Sequence, residues 1–322
     1  MILLLFYVKG SIEGLASNLR SVWMVMNRRE FSQLATGATL AQTFFREAAA
    51  QTAIPSGTFK FSVMLWTLEK QAPFERCVEM VAAAGYTGVE LVGEFQKWSS
   101  EDTRRIMARM RSLGLVFDSM TGVQAGFSDP ADTALFITQL KAQIETAKRL
   151  ECPQIILLSG KRVDGLNPKV QQNTSIENLK RAADLVSKEN IQIVIEPIDA
   201  LENPTIYLMS VTEGFEIVRQ VGSPNVKVLY DFYHEQRGFG NLIEKLENNF
   251  DWVGLVHIAD VPGRHEPGTG EIDFRNIYRK LAELKYSHFI AMEFYPIGDP
   301  VSSLTKARMQ ATQAHTHAAL PH

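Results

Sequence analysis

Cysteine is nearly absent from this chain: Cys77 and Cys152 are the two it carries in 322 residues. Two thiols cannot build a disulfide framework or a cysteine-rich zinc site, so neither device holds the fold together. An excess of either charge is missing as well. Thirty-three Lys and Arg face 36 Asp and Glu, a net charge of −3. Without a basic surplus, no electrostatic footprint for nucleic acid or an anionic membrane surface is expected. The apolar run from Met1 to Val8 is far short of the roughly 20 residues that span a bilayer, so stable membrane insertion is not expected either. What is present, 45% hydrophobic and 9% aromatic residues at a mean hydropathy of −0.07, suits a globular enzyme or small-molecule binder with a full core.

The first fifty residues read as a leader rather than as fold. Paired Arg28 and Arg29 with Phe31 follow Met26; a mildly apolar run from Leu34 to Phe45 comes next, then Ala48-Ala49-Ala50 as a cleavage site. That order of charged, apolar and small residues is the anatomy of a secretory signal, and the Arg-Arg-x-Phe pattern resembles a twin-arginine one. The expectation is export to the periplasm, with translation starting at Met26 and residues 1–25 a start assigned too early. The alternative is an N-terminal extension on a cytoplasmic protein.

From residue 58 onward, short apolar runs alternate with longer stretches of helical periodicity. The runs are 59–65, 88–91, 116–120, 154–159, 191–196, 226–231, 252–258 and 289–293. Apolar runs without polar alternation suit strands buried on both faces, as in a parallel sheet. Phe136, Leu140, Ile144 and Ala147 fall at helical spacing, as do Leu179, Ala182, Ala183 and Val186. Gly85, Gly114 and Gly222 stand where a helix should stop before the next strand. Eight strand-helix units in about 250 residues predict an α/β fold, a single-domain (β/α)8 TIM barrel over 58–314 with a tail over 315–322. An open doubly wound sheet is disfavoured, since no Gly-x-Gly-x-x-Gly follows the first strand.

Four of the strands carry a polar residue where an apolar one belongs. Glu196 ends the fifth, Asp231 the sixth, His257 lies near the end of the seventh, and Glu293 ends the eighth. In such a barrel these ends converge on one mouth. Three carboxylates in one apolar funnel repel each other unless a divalent cation is shared among them. Oxygen-rich ligands with one imidazole suit Mn²⁺, Mg²⁺ or Co²⁺, with Zn²⁺ also compatible. Taken singly, a strand-end Asp or Glu can be a helix cap and a buried His a core residue; four on successive strands favour a site.

The pattern resembles the xylose isomerase-like superfamily of sugar isomerases and epimerases. The segment from Pro262 to Phe274, Pro-Gly-Arg-His-Glu-Pro-Gly-Thr-Gly-Glu-Ile-Asp-Phe, is similar to the hydroxypyruvate isomerase family within it. The resemblance covers residues 58 to 298. It implies that Glu196, Asp231, His257 and Glu293 hold one metal ion and that Glu196 and Glu293 are the catalytic proton-transfer pair. The reaction implied is isomerisation or epimerisation of a small sugar or hydroxy-keto acid through a metal-stabilised cis-enediolate. The resemblance also implies a homo-oligomer and a carbohydrate or hydroxy-keto acid as the partner, with no nucleic acid.

Ketose 3-epimerases of the superfamily carry a histidine three residues after the strand-six aspartate, matched by His234, and an acid six residues after the first ligand, matched by Glu202. Arg264 follows the strand-seven histidine one residue later than their arginine does. Hydroxypyruvate isomerases can carry Gln where His257 stands, so the ligand set leans toward the epimerases and the loop toward the isomerases. His234, Arg264 and Glu202 are therefore substrate-binding candidates, with loop salt bridges or helix caps as the alternative for His234 and Arg264; Trp66 is expected as an apolar wall for substrate or a core tryptophan. Glu90 is expected either to point into the barrel and hydrogen-bond the site or to pair with a basic neighbour, His265 and Glu266 to stabilise their loop rather than touch substrate, and His288 to be structural. An abasic-site endonuclease is disfavoured by the charge, while an exported lyase or hydrolase of keto-glycosides is the third alternative.

Overall fold

The computed structural model describes residues 59–318; the leader expected over 1–50 lies outside them. Eight strands, β1 (Lys60–Met64), β2 (Gly88–Leu91), β3 (Val116–Met120), β4 (Gln154–Leu158), β5 (Gln192–Glu196), β6 (Val226–Asp231), β7 (Val253–Ile258) and β8 (Phe289–Met292), close into one barrel in sequence order. Every neighbouring pair is parallel, and β1 pairs with β8 to complete the ring. The TIM barrel expected from the alternation of apolar runs is the fold observed.

The helices that return the chain between strands are α1 (Trp66–Glu69), α2 (Phe74–Ala83), α3 (Ser100–Ser112), α4 (Thr133–Arg149), α5 (Pro168–Val186), α6 (Val211–Val221), α7 (Phe232–Gly238), α8 (Leu242–Asn248), α9 (Phe274–Glu283) and α10 (Pro300–Ala318). Their starts are chemically marked. Ser99 and Asp102 form a capping box on α3, Ser210 caps α6, and Asn167 followed by Pro168 opens α5. Their stops use glycine at positive φ: Gly85 at 80°, Gly114 at 69° and Gly222 at 70°. The helix expected to end near residue 314 continues to Ala318.

Phe136, Leu140, Ile144 and Ala147 on α4, with Leu179, Ala182, Ala183 and Val186 on α5, are all buried against the outside of the barrel. Inside it, a separate apolar cluster of Met64, Ile156, Val194, Leu229 and Leu255 fills the middle. The two-residue strand period does the sorting. Gln192, Val194 and Glu196 share one face of β5, and Lys227, Leu229 and Asp231 one face of β6; register pairs Leu229 with Leu255 and Asp231 with His257. β5, β6 and β7 thus each contribute an apolar residue to the plug and a polar one above it. Below the plug a cavity of about 640 Å³ opens at the N-terminal face, lined by Lys60, Asp118, Gln154, Gln192 and His288 among others. His288 accordingly lies at the end opposite the strand tips.

Candidate active site

Glu196 and Asp231 are the last residues of β5 and β6, His257 is the last but one of β7, and Glu293 follows β8 directly. One ligand atom from each lies within 4.8 Å of the others, and all four side chains are buried. It is the one such group among the described residues.

His257 sits at its centre. Its Nδ1 is 2.7 Å from Glu293 Oε2 and 4.0 Å from both Glu196 Oε1 and Asp231 Oδ2. Asp231 divides its two oxygens. Oδ1 accepts the backbone N–H of Tyr233 at 2.7 Å and of His234 at 3.2 Å, capping α7, while Oδ2 is buried and accepts no hydrogen bond. A buried anionic oxygen without a donor is costly. Turned toward two more carboxylates and an imidazole nitrogen, with Arg264 Nη2 beside it at 3.7 Å, it fits a cation. The donor set, three carboxylates and one imidazole, could hold Mn²⁺, Mg²⁺, Co²⁺ or Zn²⁺.

The two glutamates sit in opposite electrostatic settings. Burial, and then the charge of Glu293, push the Glu196 carboxyl up to about 7. Burial acts the same way on Glu293, but the Arg264 guanidinium and His257 override it and hold that carboxyl well below the usual range. His257 in turn is held well above the ordinary imidazole range: burial opposes its charge, and Glu90 and Glu293 outweigh that penalty.

The four substrate-binding candidates from sequence, Trp66, Arg264, Glu202 and His234, all join this network. Trp66 Nε1 donates to Glu293 Oε1 at 3.0 Å, and its ring meets Tyr295 edge-on at 5.2 Å. Arg264 Nη2 lies 2.7 Å from Glu293 Oε2, and its guanidinium carbon sits 5.3 Å from the Trp66 ring and 4.9 Å from that of Tyr233. Glu202, exposed, reaches the site through Arg264 Nη1 at 3.6 Å. His234 is buried, with Nδ1 2.7 Å from Asp199 Oδ2 and Nε2 3.5 Å from Asp231 Oδ2.

The glycine-rich segment after β7 is built around a residue that sequence reasoning did not single out. Asp260 is fully buried and its carboxylate accepts four backbone N–H groups, from Val261, Gly268, Gly270 and Ile272, at 2.9 to 3.1 Å. The glycines follow from that wrapping: a Cβ on Gly270 would lie 2.0 Å from the Val261 carbonyl oxygen. Arg264 takes a left-handed φ of 57° inside this loop, which aims its side chain at the quartet. His265 and Glu266 tie the loop to the segment after β8. His265 Nδ1 lies 2.7 Å from the Tyr295 carbonyl oxygen, and Glu266 accepts from Ile297 N at 3.1 Å and Ser303 Oγ at 2.8 Å. They stabilise the loop, as expected.

Asp199 and Tyr233 were also missed. Asp199 is buried and steers His234, and the one available clue was that a buried histidine just past a strand end needs an acceptor behind it. Of its two expected placements Glu90 takes the inward one, with Oε2 2.9 Å from His257 Nε2 but no hydrogen bond between them.

A family model described as a xylose isomerase-like TIM barrel matches residues 78–313. Hydroxypyruvate isomerase of Escherichia coli (strain K12) is 29% identical over 242 residues, covering 74% of this chain and 93% of that protein. 2-Oxo-tetronate isomerase of Pectobacterium atrosepticum is 28% identical over 271 residues, 80% of this chain and 99% of its own length. Among solved structures, one described as an AP endonuclease, family 2, from Brucella melitensis matches with a TM-score of 0.71 at 26% identity, over 77% of this chain and 97% of that one. An L-ribulose 3-epimerase structure matches with a TM-score of 0.68 at 18% identity, over 81% and 96%, a likeness of fold.

Proposed function

The chain belongs to the xylose isomerase-like TIM barrel family, and from that premise we propose that it is a divalent-metal-dependent isomerase of a small sugar or hydroxy-keto acid. It is an enzyme of the isomerase class, as its relatives named hydroxypyruvate isomerase and 2-oxo-tetronate isomerase support. The observation that carries the finer reading is the buried quartet, with glutamates from β5 and β8 meeting across one histidine.

A divalent cation held by Glu196, Asp231, His257 and Glu293 would polarise a substrate carbonyl and so acidify the C–H beside it. The chain's own groups account for the rest. One of the two glutamates takes that proton and leaves an enediolate; the other delivers a proton from its own side. Delivery to the neighbouring carbon interconverts aldose and ketose forms, whereas delivery to the opposite face of the same carbon epimerises it. Arg264, rigid between Trp66 and Tyr233, and His234, oriented by Asp199, present donors to substrate oxygens and to the charge that develops on them. The two rings also keep water from the guanidinium and the enediolate.

A ketose 3-epimerase is the second reading, favoured by the contact of Glu202 with Arg264 and by His234 beside Asp231. The net charge of −3 argues against a nucleic-acid substrate. We further propose that residues 26–50 direct export, which would favour an extracytoplasmic sugar as substrate.

Proton NMR in D₂O, with hydroxypyruvate, fructose, tagatose, ribulose and a 3-keto-glucoside, tests the chemistry. Deuterium entering a carbon beside the carbonyl, lost with EDTA and restored by Mn²⁺, is the expected result. Absence of exchange with every compound by a protein that binds one Mn²⁺ would replace isomerisation with lyase or hydrolase chemistry on a keto-glycoside.

A further inference from the structure

The floor of the barrel carries the opposite sign to its strand tips. Lys60 begins β1, Lys227 is the second residue of β6, and His288 directly precedes β8. Lys60, Lys188 and His288 line the cavity of about 640 Å³ on that side, a volume within the roughly 300–1,000 Å³ of small-molecule pockets. Lys227 stands beside it: a Cβ on Gly254, another lining residue, would lie 3.0 Å from the Lys227 Cβ. These groups are close enough to act on one another, because burial and then the charges of Lys227 and Lys60 hold His288 below the ordinary imidazole range.

No acid balances them. Among the described residues, Lys60, Lys188 and Lys227 have no ion-pair partner; the Lys60 ammonium approaches the Phe289 ring at 5.9 Å. Glu189, next to Lys188 in the chain, is taken by Lys148 at 2.9 Å. Asp118 is the one acid among the described residues of the cavity wall, and both its carboxyl oxygens are buried. Burial, and then the charge of Glu90, push that carboxyl far up, toward its neutral form. Carboxamides complete the wall where β4 and β5 begin. Gln154 Nε2 donates to Gln192 Oε1 at 2.9 Å and to the Gly254 carbonyl at 3.2 Å, which leaves Gln192 its NH₂ group to offer.

We propose that this cavity is a second binding site, for a small, multiply charged oxyanion of the phosphate or polycarboxylate kind. Unpaired ammonium groups converging on a concave wall concentrate positive potential there, in a chain whose net charge is −3. An oxyanion would take charge-assisted hydrogen bonds from them and a further one from the Gln192 amide. The plug of Met64, Ile156, Val194, Leu229 and Leu255 separates the cavity from the quartet. The anion is therefore no substrate in transit, and the proposal stands apart from the isomerase reading.

The test titrates full-length wild type, Lys60→Gln and Lys227→Gln with inorganic phosphate and with succinate by calorimetry, in about 0.15 M NaCl to screen weak surface binding. The ring resonance of His288 in ¹⁵N-histidine-labelled protein, assigned by its absence from His288→Gln, reports where the anion sits. Saturable binding of at least one anion is expected, with the His288 signal moving at the same midpoint and extra NaCl leaving it in place. Each lysine variant should bind about tenfold more weakly, the loss of one charge-assisted contact. Preference for phosphate or for succinate then tells which kind of oxyanion the cavity suits. Binding that leaves His288 unmoved, or that is equally tight in both lysine variants, would put the anion elsewhere and overturn the proposal. Absence of saturable binding by either anion would overturn it as well, and the wild-type His288 signal decides even if a variant fails to fold.

Discussion

Replacing Asp260 with Asn should unfasten the loop that delivers Arg264. The carboxylate splits its load evenly: Oδ1 accepts from Val261 and Ile272, and Oδ2 from Gly268 and Gly270. An amide keeps one acceptor oxygen, so two of the four N–H groups would face an NH₂ group instead. Hydrogen bonds to a charged acceptor contribute about 1.5–3 kcal/mol each. Part of that returns when the freed loop amides reach water, leaving a net loss on the order of 2–4 kcal/mol. For a domain of this size, each kcal/mol shifts Tm by roughly 2–4 °C, so a fall of about 5–15 °C is expected by thermal circular dichroism. A second assay reads the loop directly. Arg264 is only 5% exposed, so trypsin should spare the Arg264–His265 bond in the wild type. In Asp260→Asn it should cut there first, before global unfolding. A Tm within 2 °C of wild type together with continued resistance at Arg264 would show that the carboxylate is not what holds the loop, and would refute the reasoning.

Glu293→Gln removes a proton carrier and the counter-charge to Arg264; kcat should fall at least about 10²-fold with the circular dichroism spectrum unchanged, and activity above a tenth of wild type would exclude the proton-transfer role. Glu94 supplies a pH dependence away from the site. Burial lifts its carboxyl to about 7 in the folded state, so the unfolded chain gives up that proton first. Stability should therefore fall as pH rises from about 4.5 to 7 and level off above, by up to about 3 kcal/mol. Glu94→Gln should lack that part of the slope in urea melts at pH 5 and pH 8, and parallel slopes for the two proteins would contradict the assignment. Substituting Lys for both Arg28 and Arg29 should retain the protein in the cytoplasm, measured by cell fractionation; undiminished export would rule out twin-arginine recognition.

The barrel was legible because parallel strands covered on both faces leave continuous apolar runs, and glycine at helix ends marks the spacing between them. The quartet was legible for the opposite reason: Glu196, Asp231, His257 and Glu293 interrupt those runs at the strand tips, where an apolar residue would otherwise pack. Asp199, Tyr233 and Asp260 lie beyond the strands, where no period constrains what a side chain faces. Their partners, His234, the Arg264 guanidinium and four loop amides, are set by three-dimensional closure rather than spacing. Glu90 shows the boundary between the two cases. Its place on a strand allowed the inward direction, but the histidine it faces is five strands away in sequence and meets it only across the barrel interior.

The apolar plug of Met64, Ile156, Val194, Leu229 and Leu255 has a consequence for traffic. It makes the reaction chamber a cul-de-sac. A hydrophilic molecule cannot pass through toward the cavity on the far side, so on the proposed function arrival and departure share the strand-tip end, where Arg264 packs against Trp66 and Tyr233. On the proposed reaction, substrate and product differ by the position of one proton and would take the same site in turn. Product and substrate then compete for a single berth in both directions, so the enzyme relaxes a mixture toward its equilibrium ratio, and net flux must be set by whatever draws one isomer away outside.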